Sequence, residues 1–293
     1  MAKRNKFEKL CKLSAYAVAI RRKGTNEGFL IKYPTWKYWY ADPFVVGYQG
    51  KEYIFVEIMN SYKIYGEIAV APIENDKIGD FSVIISEKFH LSFPNVFCFN
   101  GEWYMIPESN AVRQVRLYHA IEFPYKWELD KILLNNVRLV DHALFPKDSG
   151  YLVLSNDIEN EEKSYNRFFS LDMKKKEMNE LELQGTWSNM RPGGTFYRKK
   201  DEWHHVYQDG IRVYGEYIHV FKVEINDEKI FKEEEIKQIH VNDLDYKNSN
   251  GKFDNIHTYN CDDIYEVIDL QYKRIYPHKM TMHWWREYLK HNK

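Results

Sequence analysis

The 293-residue sequence lacks the features that define several classes of protein. It has no run of about 18 apolar residues, so no membrane-spanning helix is predicted. The apolar stretch 13–20 is too short and wrongly flanked for a secretory signal. The three cysteines, Cys11, Cys98 and Cys261, are far apart and show no CxxC spacing, which argues against a disulfide framework or a zinc site. We therefore expect a cytoplasmic protein without a metal motif.

Glycine and proline are also scarce, at 14 and 9 residues, which excludes a collagenous or low-complexity chain. Aromatic residues, by contrast, make up 16% of the sequence. Aromatic side chains suit the half-buried surface of a pleated sheet better than they suit a helix. The composition therefore favours a globular, predominantly β protein with a sizeable core.

The charge is nearly balanced over the whole chain, at −1, but it is unevenly distributed. Residues 1–23 contain eight Lys/Arg and one Glu, and residues 271–293 contain six and one, which leaves 28 basic and 41 acidic residues in 24–270. An acidic body argues against nucleic-acid binding, which requires a basic face. The basic ends are suited either to peripheral contact with the inner face of an anionic membrane or simply to solubility.

A short pattern recurs along the chain, in which an aromatic-rich strand ends in a polar residue. Residues 50–57 (GKEYIFVE) match residues 101–108 (GEWYMIPE) position for position, and residues 201–208 (DEWHHVYQ) follow the same template. Weaker copies lie at 149–156 and 262–269. Each copy is preceded by another predicted strand; these first strands are 42–46, 93–97, 141–145, 191–196 and a segment around His257. A third predicted strand follows in four copies, at 66–73, 115–121, 167–171 and 217–223.

Antiparallel strands repeated in this way predict an all-β, five-bladed β-propeller. A long meandering sandwich would also contain similar strands, but it does not predict a polar residue at a fixed place in every copy. We place the propeller at residues 24–276, between a basic N-terminal extension (1–23) and a short helical tail (277–293). The charged stretch 226–253 is predicted to be an insertion or loop between blades four and five.

Equivalent strand ends of a propeller meet at one mouth of its central channel, so the repeated polar residues should surround one pocket. The candidates are the first-strand residues Asp42, Asp141, Arg191 and His257, and the second-strand termini Glu57, Glu108, Asn156, Gln208 and Asp269. Carboxylates, amides and aromatic surfaces together suit a polyhydroxylated ligand. The pattern predicts a carbohydrate site.

Several of these residues also have simpler interpretations. Asp42, before Pro43, suits a turn, although the copy at Asp141 weakens that view. Arg191 suits a structural ion pair with Asp42 or Asp141, and His257 suits a buried core histidine. The paired residues His204 and His205 face opposite sides of a strand, so they cannot share a metal.

Five segments carry a resemblance to a known family: 40–44 (YADPF), 90–97 (HLSFPNVF), 104–109 (YMIPES), 115–118 (VRLY) and 140–145 (VDHALF). Together they resemble the N-terminal domain family of glucosamine inositolphosphorylceramide transferase, and the resemblance runs from about residue 16 to 268. That family is similar in fold to the five-bladed propellers of glycoside hydrolase family 43. Bacterial members look like products of surface-polysaccharide gene clusters, which implies a role in glycan assembly.

The resemblance also implies roles for individual residues. Asp42 matches the general base of the propeller hydrolases, and Asp141 matches the aspartate that adjusts acidity. The hydrolases carry their general acid in a Ser-Glu-Gly-Pro motif, whereas this chain has Asn-Met-Arg-Pro-Gly-Gly at 189–194. Arginine cannot donate the proton, because it stays charged at any working pH. Ordinary hydrolysis therefore requires Glu108 or Glu57 to act as the acid.

An arginine facing the pocket suits a donor with an anionic leaving group, such as a sugar nucleotide, which needs charge neutralisation rather than a proton. On this hypothesis Asp42 is the base, while Arg191 and Arg116 neutralise phosphate. The remaining polar residues, Asp141, Glu57, Glu108 and Gln208, position hydroxyl groups. Arg116 alternatively serves as an ordinary charge on the face of its strand.

Three functions remain open at this point. Glycosyl transfer in the synthesis of cell-surface polysaccharide or glycolipid is favoured, with Asp42, Asp141 and Glu108 as candidate catalytic residues. A hydrolase of the family 43 type is an alternative, and a non-catalytic sugar-binding module is another. None of these functions calls for a cofactor.

Overall fold

A computed structural model describes residues 12–63, 65–160, 163–210, 215–226, 230–249 and 251–275. These residues form five sheets, which are the five blades of a β-propeller; the strands pair antiparallel except for Gln184–Thr186, which pairs parallel with Ile230–His240. Their two helical elements are single 3₁₀ turns at Asn110–Val112 and Val241–Asp243. Within the described ranges no helix has the length and apolar character needed to cross a bilayer. The predicted fold class is confirmed.

The first two strands of the chain, β1 (Lys12–Arg22) and β2 (Leu30–Lys32), belong to the last blade and are taken up below. Blade one consists of β3 (Tyr38–Tyr48), β4 (Lys51–Asn60), β5 (Gly66–Glu74), β6 (Lys77–Ile78) and β7 (Ser82–Ile85). Blade two consists of β8 (Ser92–Phe99), β9 (Glu102–Glu108), β10 (Gln114–Glu122) and β11 (Lys126–Asn135). Blade three consists of β12 (Leu139–Lys147), β13 (Gly150–Asp157), β14 (Tyr165–Asp172) and β15 (Glu177–Leu181).

Blade four has an interrupted first strand, because two short strands pair with the same partner. Its strands are β16 (Gln184–Thr186), β17 (Arg191–Pro192), β18 (Tyr197–Lys199), β19 (Glu202–Gln208), β20 (Tyr217–Asn226) and β21 (Ile230–His240). Blade five combines β22 (Tyr259–Cys261) and β23 (Tyr265–Ile275) with β1 and β2, in the order β2-β1-β23-β22. Strands from both ends of the chain therefore close the ring.

This closure corrects the predicted N-terminal boundary. Strand β1 pairs with β23 along its whole length, from Lys12 opposite Ile275 to Arg22 opposite Tyr265. The propeller thus includes residues 12–22, which the sequence analysis assigned to an extension. The strand was missed because its partner is about 250 residues away and no repeat surrounds it. Residues 1–11 and the predicted tail 277–293 lie outside the described residues.

The predicted insertion at 226–253 is also corrected. Most of its first half is β21, which pairs antiparallel with β20 as an outer strand of blade four. Most of the side chains described on β21 are exposed, and many are Lys or Glu. An outer strand facing solvent needs no apolar alternation, and charged side chains there discourage pairing with other chains. The high charge was therefore misread as a loop signal.

The core is divided among the contacts between neighbouring blades. Strand β4 shows how, because Ile54 and Val56 pack toward blade five whereas Tyr53 and Phe55 pack toward blade two. Successive side chains of a strand point to opposite faces, so a strand buried on both faces is apolar at every position. Equivalent clusters join the other neighbouring blades. The repeated apolar runs of the sequence are these central strands.

Candidate functional site: the axial cavity

The first strands of blades one to three each contain a β-bulge near the channel. The bulges put Asp42, Phe93 and Asp141 in the left-handed region, with φ of 49°, 45° and 52°. This conformation is unfavourable for residues other than glycine, and bulges often re-aim a side chain next to a functional site. Three blades therefore turn the same position of their first strand in the same unusual way.

The strand register also corrects the alignment of Arg191 with these residues. Equivalent cross-strand pairs in blades one to four are Ala41 with Glu57, Ser92 with Glu108, Val140 with Asn156, and Arg191 with Gln208. Arg191 therefore corresponds to the residue before the bulge, and Pro192 takes the place equivalent to Asp42. The shift by one residue was hidden because Pro192-Gly193-Gly194 interrupts the first strand of blade four.

A cavity of about 300 Å³ lies where these strand ends meet. Its lining residues are Tyr16, Trp39, Ala41, Asp42, Glu57, Met59, His90, Ser92, Glu108, Asp141, Arg191 and His257. Four carboxyl groups, two imidazoles and one guanidinium thus converge beside two large aromatic rings. All five blades, or the loops that join them, contribute to this axial cavity.

One group of buried residues, which we call the Asp42 cluster, consists of Asp42, His257 and Asp269. The His257 ring lies between the two carboxylates, with Nδ1 2.9 Å from Asp269 and Nε2 3.3 Å from Asp42 Oδ1. The other oxygen of Asp42, Oδ2, accepts a hydrogen bond of 3.0 Å from the Phe93 amide. Both oxygens of Asp42 are therefore held in place.

Asp269 holds this cluster from its buried side through hydrogen bonds. It is fully buried and accepts hydrogen bonds from the amides of Asp42, His257 and Thr258, each at 3.1 Å, and from the Thr258 hydroxyl. Burial alone would raise the pKa of Asp269, but His257 and these hydrogen bonds outweigh it and hold the pKa below its ordinary value. Asp269 is therefore a fixed negative charge behind Asp42 and His257.

A second group, the Asp141 cluster, consists of Asp141, Arg191, Glu108 and Gln208. Arg191 Nε donates to Asp141 Oδ2 at 2.6 Å, and its Nη2 lies 3.6 Å from Glu108 Oε2. Gln208 Nε2 donates to the same Asp141 oxygen at 3.1 Å and to the Pro192 carbonyl at 2.8 Å. The predicted ion pair between Arg191 and Asp141 exists, and Arg191 also lines the cavity.

Two glutamates of the cavity, Glu108 in the Asp141 cluster and Glu57, favour their protonated forms. Burial, and then the charge of Asp141, raises the pKa of Glu108 to about 8, although Arg191 opposes the shift. Burial, and then the charge of Asp42, raises the pKa of Glu57 well above its ordinary value. A carboxyl group surrounded by other carboxylates with little water keeps its proton. The cavity therefore contains two carboxylic acids that retain their protons, and Glu108 can donate its proton near neutral pH.

His90 contacts Glu57 from the loop before blade two. The Gly66 amide donates to His90 Nδ1 at 2.8 Å, so a neutral ring carries its proton on Nε2, which lies 3.6 Å from Glu57 Oε1. Burial lowers the pKa of His90, which favours that neutral form. A β-carbon at position 66 would lie 2.6 Å from Glu57 Oε1 and 2.7 Å from the Leu91 carbonyl. Glycine at position 66 therefore leaves room for Glu57.

The described residues include one group of side chains that is close enough to share a metal ion, namely the Asp42 cluster, whose ligand atoms lie within 4.8 Å of one another. Asp269, however, already accepts hydrogen bonds from the amides of Asp42 and Thr258 and bonds to the ring of His257. A cation at this place would have to displace those donors. The present arrangement fits a hydrogen-bonded cluster better than a resident metal site.

The structure thus brings most of the predicted site residues together. Those that line the axial cavity are Asp42, Glu57, Glu108, Asp141, Arg191 and His257. Gln208 lies behind it, bonded to Asp141.

The prediction that Arg116 binds the ligand is corrected, because Arg116 does not line the cavity. Its guanidinium lies over the Phe89 ring, donates to Gln114 at 2.7 Å and approaches Glu87 at 3.5 Å. The simpler interpretation of Arg116, a charge on the face of a strand, is the one that the contacts support.

Three lining residues were missed by the sequence analysis. Tyr16 lies on β1, and its ring centroid is 4.7 Å from that of His257 and 5.6 Å from that of Trp39. His90 belonged to a quoted motif but received no role. No repeat signal marks Tyr16 or His90, whereas Trp39, two residues before Ala41 on the first strand of blade one, could have been found from the strand alternation.

A family model described as "Glucosamine inositolphosphorylceramide transferase 1, N-terminal" matches residues 31–263. The chain belongs to this family. A relative named glucosamine inositolphosphorylceramide transferase 1 from Arabidopsis thaliana is 30% identical over 219 residues, covering 67% of this chain and 27% of the relative. The protein of the same name from Oryza sativa subsp. indica is 28% identical over 212 residues, covering 69% and 28%. The chain thus spans little more than a quarter of the length of these relatives.

Solved structures of similar fold include carbohydrate-active enzymes. The β-xylosidase RS223 has a TM-score of 0.57 at 11% identity, covering 85% of this chain and 95% of that one. An α-L-arabinofuranosidase from Podospora anserina, in complex with cellotriose, has a TM-score of 0.57 at 10% identity, covering 80% and 90%. A GH43_1 enzyme from Xanthomonas citri, complexed with xylotriose, has a TM-score of 0.54 at 9% identity, covering 80% and 87%. At these identities the likeness concerns the fold alone.

Proposed function

We propose that the axial cavity binds a saccharide and catalyses glycosyl transfer in the synthesis of a cell-surface glycolipid or polysaccharide. The family supports transfer, since its curated relatives are named as transferases of an inositolphosphorylceramide. The observation that carries the proposal is the cavity itself, which joins Asp42 to two carboxylic acids with raised pKa, Glu57 and Glu108. That combination supplies a base and an acid for chemistry at a glycosidic bond.

The lining also suits a sugar ring. Trp39 and Tyr16 offer flat apolar surfaces for sugar C–H groups, while the carboxyl groups and Arg191 bind hydroxyls. A volume of about 300 Å³ matches the lower end of ligand pockets and suits one or two sugar units. A terminal sugar of a longer glycan would enter the cavity, with the rest of the chain outside.

The transfer step can be written with balanced protons. Asp42 accepts the proton of the acceptor hydroxyl as its oxygen bonds to the anomeric carbon of the donor. The bond from that carbon to the leaving oxygen breaks, and Glu108 donates a proton to the leaving oxygen. Glu108 would thus supply the acid that is absent at the position of Arg191. Gln208 donates to Asp141 and holds it beside Glu108, where the charge of Asp141 raises the pKa of Glu108; Arg191 pairs with Asp141 and opposes part of that shift.

A sugar nucleotide donor would use Arg191 differently. Its leaving phosphate is anionic and needs neutralisation, and Arg191 is partly exposed, with 30% of its side chain accessible. Its charge is already compensated by Asp141 at 2.6 Å, however, and the cavity contains further carboxyl groups. The electrostatics of the cavity therefore favour a donor whose leaving group is neutral over one whose leaving group is a nucleoside diphosphate.

Hydrolysis is the second candidate function, because the protonated glutamates restore the acid that the family 43 pattern places elsewhere. It differs from transfer only in using water as the acceptor. One experiment separates the two: incubation with nitrophenyl glycosides or sugar nucleotides, with and without oligosaccharide acceptors, followed by mass spectrometry. A product that appears only with acceptor supports transfer, and free sugar at the same rate in both arms supports hydrolysis. Saccharide binding without any product in either arm would indicate a non-catalytic sugar-binding module.

We also propose a cytoplasmic location with peripheral membrane contact through the basic chain ends. The structure describes the side chains of three cations of the N-terminal segment, and all three are engaged within the protein. Arg21 pairs with Glu266 at 2.8 Å, Arg22 pairs with Asp76 at 2.7 Å, and Lys23 donates to the Asp262 carbonyl at 2.8 Å. Membrane contact through the N-terminal end therefore depends on residues 3–12, and vesicle flotation of a chain lacking residues 1–11 would test it.

A further inference from the structure

A second and larger cavity lies between blades four and five. It has a volume of about 520 Å³ and shares no lining residue with the axial cavity. Its walls come from β18 to β21 of blade four, from β1, β22 and β23 of blade five, and from the segment that joins the two blades. We call it the interblade cleft.

Positive charge is concentrated in this cleft. Four cations line it, namely Arg21, Lys23, Lys199 and Lys237, against the two carboxylates Asp243 and Glu266. Residues 24–270 as a whole contain 28 basic and 41 acidic residues, so a cationic cleft stands out against an acidic body. Such a local concentration attracts anions.

The carboxylates do not neutralise all of these cations. Glu266 accepts a hydrogen bond from Arg21 Nη2 at 2.8 Å, and Asp243 accepts one from the His240 amide at 3.1 Å. The ammonium groups of Lys199 and Lys237 have no hydrogen bond or ion pair with other described residues. Arg21 Nε is buried and donates to no acceptor among them. The cleft therefore contains N–H donors that are available to a bound anion.

These cations also lie close enough to repel one another. Partial burial, and then the charge of Lys199, lowers the pKa of Lys237, and Arg21 adds to the effect. Like charges held together near apolar walls destabilise each other, and a bound anion relieves that cost. A doubly charged phosphate monoester would gain more from this grouping than a singly charged carboxylate.

The rest of the cleft is apolar. Phe29 and Ile256 are almost fully buried at its floor, Ile239 and Leu244 lie beside them, and Ile236 is 48% exposed. The Arg21 guanidinium lies 4.3 Å from the centre of the Phe29 ring, so charged and apolar surfaces meet at this point. A small inorganic anion would leave most of this apolar surface unfilled.

We propose that the interblade cleft binds an amphiphilic phosphate, with its phosphate held by Lys199, Lys237 and Arg21 and its apolar chain lying along Phe29, Ile239 and Leu244. The ligand chemistry is that of an alkyl phosphate, which a membrane phospholipid or a soluble phosphorylated metabolite would both provide. The site is independent of the glycosyl-transfer proposal, because the two cavities share no residue.

The first test is calorimetric titration of the full chain with octyl phosphate below its micelle concentration. We expect saturable binding that weakens at least tenfold in the double variant Lys199→Gln/Lys237→Gln. The matched control is Lys174→Gln/Lys175→Gln, which removes two charges from the exposed turn between β14 and β15 of blade three. Less than a twofold change is expected there. Equal weakening in both double variants, or no binding to the unaltered protein, overturns the proposal.

Further arms test each half of the ligand. Inorganic phosphate and octyl glucoside, which carry one half each, should bind at least tenfold more weakly than octyl phosphate, and octanoate should bind more weakly too. Equal affinity for inorganic phosphate would overturn the apolar half of the site. Vesicles of phosphatidic acid in phosphatidylcholine, compared with pure phosphatidylcholine, separate a lipid source from a soluble one. Asp42→Asn should bind octyl phosphate normally, so the result does not depend on the axial cavity.

Discussion

The Asp42 and Asp141 clusters both line the axial cavity, and they differ in the basic side chain that each contains. His257 lies between two buried carboxylates, and both of its ring nitrogens are engaged. Arg191 carries a permanent charge, is partly exposed and pairs with Asp141 at 2.6 Å. Blades one to three supply the carboxyl groups of the lining, whereas blade four supplies Arg191 and blade five supplies His257.

The difference indicates a division of labour. The Asp42 cluster is closed, because hydrogen bonds from the Phe93 amide and to Asp269 hold Asp42, and this fixes the position of the Asp42 carboxylate. The Asp141 cluster is open to the cavity, and it contains Glu108, whose pKa of about 8 lets it gain and lose a proton near neutral pH. We therefore assign the base to the first cluster and the acid to the second.

The largest expected effect is that of Asp42→Asn. Loss of the base should lower turnover by about 10³-fold, within the range that proton transfer by a positioned side chain contributes. Binding of a saccharide, measured by thermal shift, should change little, because the amide keeps the shape and one acceptor oxygen. Turnover is measured with the donor and acceptor found in the screen described above.

The matched variant Asp141→Asn sharpens this comparison. Asp141 acts through Glu108 and Arg191, so its loss should lower turnover by only about tenfold and should shift the pH profile, since its charge helps to raise the pKa of Glu108. Equal losses in both variants would contradict the assignment of the base to the Asp42 cluster alone.

Asp269→Asn should cause the next largest effect, on stability. It removes a fully buried charge that accepts from Asp42, His257 and Thr258, and breaking a buried charged network costs about 3–5 kcal/mol. Urea unfolding should show this loss. The control Asp263→Asn makes the same chemical change on an exposed residue nearby and should alter the free energy of unfolding by less than about 0.5 kcal/mol. A loss below 1 kcal/mol for Asp269→Asn would show that the cluster is not closed.

Much of the propeller could be predicted from the sequence, because its central strands are buried on both faces and so form apolar runs with polar ends. Glu57 and Glu108 were found in this way. Two strands were not predicted. Strand β1 pairs with β23 at the other end of the chain, and β21 faces solvent and therefore lacks an apolar pattern. Local pattern contains no information about either circumstance.

The candidate site was predictable to the same degree. The repeat located Asp42 and Asp141, since both occupy the same bulged position of their blades. It misplaced Arg191 by one register position, because blade four departs from the repeat at Pro192-Gly193-Gly194. The raised pKa of Glu108 depends on burial and on Asp141, which lies on another blade, so only the assembled cavity reveals it.

Glu108→Gln should lower turnover by about 10²-fold and change its pH dependence. The pKa of about 8 means that Glu108 is protonated below that pH, so the rate of the unaltered enzyme should fall as the pH rises through about 8. Glutamine cannot titrate, and the alkaline limb should disappear. The matched variant Glu57→Gln should keep that limb. If instead Glu57→Gln abolishes the limb and Glu108→Gln retains it, the acid belongs beside the Asp42 cluster, and the division between the clusters is wrong.

The smallest effect should come from Gly66→Ala, which tests whether space around Glu57 matters. The added methyl group would lie 2.6 Å from Glu57 Oε1 and 2.7 Å from the Leu91 carbonyl, and the latter is backbone that cannot easily move. Such overpacking costs about 1–3 kcal/mol, and it should displace Glu57 from His90. Gly210→Ala, where no atom lies within 4 Å of the new methyl group, is the control and should be neutral. The two variants are compared by urea unfolding and by saccharide affinity. A loss of affinity in Gly66→Ala that exceeds its modest loss of stability places Glu57 in contact with the ligand, whereas unchanged affinity confines its role to the wall of the cavity.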